Sequence, residues 1–387
     1  MRLVRFLLFF LGAALLVIGP IFLLNKDSFI RVFQNREALL DGREWVAKTH
    51  SLGGLISFIG DHPEHGTIVS VSSDPAHTPI RFATQQAVPA GTLNRIVLLA
   101  GLTEQTLSGN LETSAPVSPE KITRWYLNGA DENHLRRFNR WLNSIESDPT
   151  LRELMLYYIR TNDPAVHDYF FFVLGEDYLA GLVQRLDEEY GSIGQPVPLW
   201  GLRQILSQKA PGMTSESFPM DRDTVFKHAL KHSQQHLKGD GDALSTGIEP
   251  VSFQEQRIMH ALFPHIHPEH FAAVLLAIFS GDFMSPEISE KLKNVLLTDA
   301  EDRLLEPHIQ QYAAHFDEGM GYLAGWTYAR LADSGHHQVQ VIVLYNLPPG
   351  LWFHMNSNFM IRDYHHRLFY DSSAIERSLQ LKSEPMP

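Results

Sequence analysis

Cysteine is missing from all 387 residues. That absence removes disulfides, thiolate nucleophiles, iron–sulfur clusters and cysteine-ligated zinc in one step. Positive charge is also in deficit: 32 Lys and Arg face 44 Asp and Glu, for a net charge of −12. A chain so acidic is not held to nucleic acid by general phosphate attraction. Twenty histidines soften the balance in mild acid, because their unperturbed pKa is about 6.5. There is no internal repeat and no low-complexity tract, and no Walker, Rossmann or glycosidase signature stands out. What remains is ordinary globular composition, 44% apolar and 20% charged, in a chain long enough for two or three structural units.

Long hydrophobic runs are scarce as well, and the one present suggests a location. Residues 6–24 carry no charge over 19 positions, behind Arg2 and Arg5 and ahead of Lys26 and Asp27. A helix rising about 1.5 Å per residue would cover a bilayer core of roughly 30 Å with that length. The exit Ile21-Phe22-Leu23-Leu24-Asn25 lacks the small residues of a signal cleavage site, which favours an uncleaved anchor over a removed signal. Arginines at the short end stay in the cytoplasm. The expectation is a single-pass protein of the inner (cytoplasmic) membrane, with its globular part on the periplasmic, extracytoplasmic side.

Beyond the anchor, residues 27–60 read as helical. Two β-branched runs, 66–72 and 79–84, then flank Asp74-Pro75 as a hairpin with a longer loop. Residues 93–102 are almost wholly apolar and fit a helix buried on most sides. Helical periodicity dominates from 118 to about 305. A second hairpin, 321–331 with 339–347, turns at Asp333-Ser334-Gly335, and a last helical stretch covers 352–368 before a polar tail expected to fray. The fold class expected is therefore α+β: an antiparallel sheet flanked by N- and C-terminal helices, with a long inserted all-helical lobe, preceded by one transmembrane helix. The divisions are 1–25 for the anchor, 26–110 for the first part of the α/β lobe, 111–315 for the helical lobe and 316–387 for its second part. A crevice between the lobes is the default site.

Several residue clusters invite chemistry and have plainer explanations. His228, His232 and His236 fall at i, i+4 and i+8, but neighbouring lysines oppose a cation and no carboxylate completes a ligand set. His260, His265, His267 and His270 lack zinc-protease spacing. His336-His337 and His365-His366 read as exposed surface pairs, His62-Pro63-Glu64-His65 as a surface loop. Trp125, Trp200, Trp326 and Trp352 read as core. No metal or other cofactor is expected. Ser118-Pro119-Glu120-Lys121 matches Ser-x-x-Lys literally, yet proline after serine reads as helix-start chemistry.

Five stretches, in order, resemble the serine β-lactamase and D,D-peptidase family of β-lactamase-like serine hydrolases. Residues 84–99, with Pro89, Gly91, Thr92 and Arg95, are similar to the approach to the nucleophile helix. Val117 to Ile122 with Trp125-Tyr126-Leu127, Gly129, Asp131 and His134 resembles the segment after it. Residues 155–163 followed by Asp168-Tyr169-Phe170 resemble the helix of the second motif. Glu255-Gln256-Arg257, residues 267–271 and residues 280–287 are similar to the helices closing the helical lobe. Residues 319–329 resemble the strand of the third motif.

That resemblance implies a serine and a lysine at i and i+3, one helical face, so that a deprotonated amine can reach the hydroxyl. Here Thr92 and Arg95 stand there. Threonine is a poor nucleophile, and a guanidinium with a pKa above about 12 is not a base. The second motif, Ser-x-Asn, corresponds to Thr161-Asn162-Asp163, which keeps a hydroxyl and puts an acid at the amide position. The third, Lys-Thr/Ser-Gly, corresponds to Gly319-Met320-Gly321-Tyr322, without a cation. The sites expected, Thr92, Arg95, Thr161 and Asp163, are thus degenerate motif positions. The implied function is a membrane-anchored envelope pseudoenzyme that binds a peptidoglycan fragment or an envelope protein through the old cleft; the alternatives are an active hydrolase using Thr92 with an unrecognised base, or a metal-binding protein built on the histidine clusters.

Overall fold

The computed structural model describes residues 36–209, 221–239, 252–297 and 307–381. The expected anchor, residues 1–25, lies outside them, and no helix among the described residues is long and apolar enough to cross a membrane. The stretch expected as one helix before the first strand is broken. Short turns at Ala38–Leu40 and Arg43–Val46 are separated by Gly42 at φ +79°, and helix α1 (Leu52–Asp61) starts afresh where the Ser51 hydroxyl accepts from Gly54 N–H.

Strands β1 (Gly66–Ser72) and β2 (Ile80–Phe82) follow, then a two-residue strand, β3 (Val88–Pro89). Helix α2 (Arg95–Leu107) buries every residue from Arg95 through Thr103, which is why its sequence shows no polar face over that length. The inserted helices are α3 (Glu132–Leu142), α4 (Leu151–Thr161), α5 (Pro164–Leu174), α6 (Glu176–Tyr190), α7 (Leu199–Lys209), α8 (Arg222–Lys238) and α9 (Phe253–Ala261). Strand β4 (His265–Ile266) pairs with β3, and α10 (Pro268–Ser280) and α11 (Pro286–Leu297) complete the insertion. The chain then returns as β5 (Ile309–Gly319), β6 (Tyr322–Leu331) and β7 (His337–Leu344), and ends with α12 (Pro349–Ser357), α13 (Met360–Arg367) and α14 (Ser372–Leu379).

The main sheet has five strands in the order β2-β1-β7-β6-β5, each pair antiparallel. Both ends of the chain therefore meet at the β1–β7 ladder, where Gly66 opposes Leu344 and Ser72 opposes Gln338. Side chains alternate faces along that ladder. Val69, Val341 and Val343 point into the larger core with Phe271, Leu275 and Phe279 of α10. Ile68, Ile342 and Leu344 point the other way, onto Leu55 and Ile59 of α1 and Ile361 and Tyr364 of α13.

Four expectations are corrected here. The division at 315/316 falls inside β5, a strand the sequence hid because Gln311, His315, Asp317 and Glu318 give it neither a β-branched run nor a clean alternation; its pairing with β6 supplies the order. Gly319 consequently closes β5 opposite Tyr322, Met320 and Gly321 are the β5–β6 turn, and the strand read from 319 begins at Tyr322. The last helical stretch is two helices, broken at Asn358-Phe359, and the tail expected to fray forms α14, capped by Asp371. His365 is not a surface residue: it is fully buried, with Nδ1 3.1 Å from the Thr327 hydroxyl.

Candidate functional site

A cleft of about 470 Å³ opens between the helical insertion and strand β5. Its walls come from four places: the turn before α2 (Gly91, Thr92), the α4–α5 junction (Thr161, Asn162, Pro164), β5 and its turn (Phe316, Asp317, Glu318, Tyr322), and side chains reaching in from neighbouring helices (His134, Arg203, His260, Arg362). Of the four expected site residues, Thr92 and Thr161 line this cleft; Arg95 and Asp163 stand behind its wall.

Thr92 is held at the cleft by the β3–β4 pairing and by Ala90 N–H donating to the Pro264 carbonyl at 2.7 Å. Its own N–H donates to Asp317 Oδ2 at 2.7 Å, and Asn162 Nδ2 donates to Oδ1 of the same carboxylate at 3.1 Å. Gly91 makes the approach feasible: at φ +53° an added Cβ would sit 2.0 Å from Asp317 Oδ2. A backbone N–H before a buried helix is the kind of donor that steadies an oxyanion. In this protein it is taken by a carboxylate of the chain itself. Burial pushes the Asp317 carboxyl above the usual carboxylate range, against the pull of the Thr92 N–H and the Arg95 guanidinium.

Arg95 is 2% exposed and its guanidinium is engaged by the wall. Nη1 donates to the Tyr158 carbonyl and Nη2 to that of Ile159, each at 3.2 Å, and Nη2 also contacts His315 Nδ1. Burial, with the Arg95 guanidinium and then Arg362 adding to it, holds His315 well below its ordinary pKa, so the imidazole is neutral. A cation so placed neutralises charge and orders α4 and β5; it cannot take a proton from Thr92.

Asp163 is a structural residue. Fully buried, it caps α5 by accepting from Ala165 N–H at 3.0 Å and Val166 N–H at 3.2 Å, and its Oδ2 accepts from Tyr126 Oη at 2.9 Å. The amide entering the cleft is that of its neighbour, Asn162, which ends α4 in the left-handed region at φ +52°. Thr161 turns its hydroxyl back to the Tyr157 carbonyl at 2.7 Å and offers no free donor. Of the Gly319–Tyr322 stretch, only the Tyr322 side chain reaches the cleft, its ring stacked 6.3 Å from that of His260.

Two cleft residues carry buried polar atoms that find no partner among the described residues, Asn162 Oδ1 and Tyr322 Oη, whereas Thr92 Oγ1 has the Asp317 carboxyl, His134 Nδ1 has Asp163 Oδ2 at 3.7 Å and the His260 ring has the Gln256 and Met320 carbonyls. Buried polar groups are nearly always satisfied, so two unpartnered atoms at one opening mark a place for a polar ligand. The sequence singles out Tyr322 and His260 without this role and leaves Asp317 and Arg362 unmarked. The signal for Asp317 was a strand that did not read as one. Arg203, by contrast, is spent on a bidentate pair with Asp131, at 2.5 and 2.9 Å. Ser118 and Lys121 do not line the cleft; Ser118 donates to Glu120 in its own turn. Among the described residues no group of three His, Asp or Glu side chains stands together as a metal site, and His236 is packed flat on Trp200 at 4.1 Å with Nε2 on the Arg124 carbonyl.

No family model matches the chain, and no curated protein does. Among solved structures, it is similar to PBP-A at 13% identity, covering 83% of this chain and 97% of that one with a TM-score of 0.45. A class A β-lactamase reconstructed as the last common ancestor of Gram-negative bacteria shares 10% identity over 80% of this chain and 99% of its own, TM-score 0.48. A β-lactamase from Sphaerobacter thermophilus shares 11% over 82% and 95%, TM-score 0.48.

Proposed function

We propose that this chain is a membrane-anchored cell-envelope protein with a β-lactamase-like fold and a catalytically degenerate cleft. It binds rather than hydrolyses, taking a peptidoglycan fragment or an envelope protein where hydrolases of that fold act. Support for the fold comes from a sheet assembled from both chain ends around a helical insertion, the arrangement the sequence resemblance implies. The observation that carries the loss of chemistry is the Thr92 N–H donating to Asp317 Oδ2 at 2.7 Å, while Arg95 fills the place of a base. The unpartnered Asn162 Oδ1 and Tyr322 Oη at the cleft support binding.

A specific observation favours the opposing reading: the Asp317 side chain, once ionised, is a base and lies beside Thr92. As a general base it would leave the new oxyanion without the Thr92 N–H, which the same carboxylate occupies. Incubation of the protein with a fluorescent penicillin and with a fluorophosphonate decides between them. The degenerate cleft gives no adduct with either reagent. Stoichiometric labelling that disappears in Thr92→Ala overturns the proposal in favour of a threonine hydrolase with Asp317 as base. The binding half is read by thermal shift with purified disaccharide-peptide fragments of peptidoglycan; a rise abolished by Tyr322→Phe with Asn162→Ala supports it.

A further inference from the structure

Six large apolar side chains are substantially exposed among the described residues, and three of them lie on α12 or on the segments that meet its two ends: Leu40 at 60%, Phe353 at 54% and Phe359 at 61%. The Leu39 carbonyl packs so closely on α12 that a Cβ on Gly350 would lie 2.4 Å from it, and Gly350 and Phe353 share a helical face at i, i+3. Phe359 follows at the α12–α13 break, its N–H on the Asn356 carbonyl. It sits at φ +52°, a region bulky residues avoid. Apart from the Arg362 guanidinium that lies over it, this ring is held out to solvent on an unfavourable backbone, so its further gain lies with something outside the fold.

What lies outside is suggested by where the chain leaves. Leu40 is sixteen residues after Leu24, the end of the uncharged run, so even a fully extended connection spans no more than about 55 Å. This region holds the first part of the described chain after that run. One cation is placed for the same occupant. The Arg362 guanidinium lies over the Phe359 ring at 5.6 Å and over the Phe316 ring at 4.9 Å, and a guanidinium is suited to a phosphate.

We propose that this region rests on the lipid surface of the membrane holding residues 6–24, with Leu40, Phe353 and Phe359 at the level of the headgroups and Arg362 meeting lipid phosphate. Because Phe316 and Arg362 also line the cleft, docking sets the mouth of the cleft beside the bilayer. The inference rests on the anchor reading, and its test separates the two.

The full chain has no cysteine, so single substitutions Leu40→Cys, Phe353→Cys and Phe359→Cys can each carry an environment-sensitive NBD dye, with Leu237→Cys and Leu379→Cys as exposed controls. Each labelled chain is reconstituted in vesicles of phosphatidylethanolamine and phosphatidylglycerol with or without doxyl-labelled acyl chains. The expected result is blue-shifted emission and several-fold stronger quenching at 40, 353 and 359 than at 237 and 379. Labels at all five positions behaving alike, in chains that survive an alkaline carbonate wash, overturn the docking and leave the anchor standing. Chains that wash off but were quenched at the three sites beforehand uphold the docking and remove the anchor. A shift that grows with protein concentration in detergent, without vesicles, overturns the lipid surface in favour of a contact between copies of this chain.

Discussion

Arg95→Lys separates the two things the guanidinium does. It donates to the Tyr158 and Ile159 carbonyls and contacts His315, all within a wall where Arg95 is 2% exposed. A lysine amine keeps the charge facing Asp317 but cannot span both carbonyls in one plane. Losing one or two charge-assisted bonds of about 1.5–3 kcal/mol each, with the surplus acceptors left buried, gives an expected loss of about 2–4 kcal/mol. Arg95→Met also strands the Asp317 charge and is expected to cost about 4–5 kcal/mol. Urea unfolding followed by circular dichroism measures both; with a slope near the upper end of about 3 kcal/mol per molar, the lysine variant falls by about 1 M in midpoint. The same variant tests the chemistry, because a buried lysine can lose its proton. If absence of a base were the only defect, Arg95→Lys would acquire slow labelling by a fluorescent penicillin. The Asp317 contact to the Thr92 N–H persists in the variant, so no adduct is expected. An unchanged midpoint, or stoichiometric labelling, refutes the reasoning.

Asp163→Ala removes the α5 cap and strands the Tyr126 hydroxyl, so a loss of about 3–4 kcal/mol in urea midpoint analysis is expected, while Asp163→Asn, which keeps the cap acceptor, loses about half as much. Near-equal stability of the alanine variant counts against a structural Asp163. Burial lowers His167 to about 4 and His365 to about 3. Both are neutral in the native state and protonated when unfolded below about 6.5, so each withdraws stability as pH falls from 6.5 towards 4, by about 3 kcal/mol at 1.36 per pKa unit. Asp168, raised to about 7 by burial, acts in the opposite direction, its contribution fading as pH rises from about 4 to 7. The readout is therefore the gap between wild type and His365→Asn: it shifts in the variant's favour between pH 7 and pH 4.5, and a pH-independent gap overturns the assignment.

Local pattern was enough for much of the architecture. Nine consecutive buried positions from Arg95 to Thr103 made α2 legible, and the apolar β-branched runs of β1 and β7 announced a sheet built from both chain ends with helices between. These signals are written within a few residues of one another, where periodicity operates. Identity alone also decided that Arg95 is no base, since no environment brings a guanidinium to release its proton near neutral pH. Tertiary structure decided the rest. Asp317 meets Thr92 across 225 residues of sequence, through a strand whose own residues do not favour strands and which exists because β6 pairs with it. Whether Asn162 or Asp163 faces the cleft hung on one backbone angle at the α4–α5 junction, and His365 went from surface to core once α13 lay across the sheet. Register and burial are set by contacts between distant segments, and a one-residue choice of that kind leaves no periodic trace in the chain.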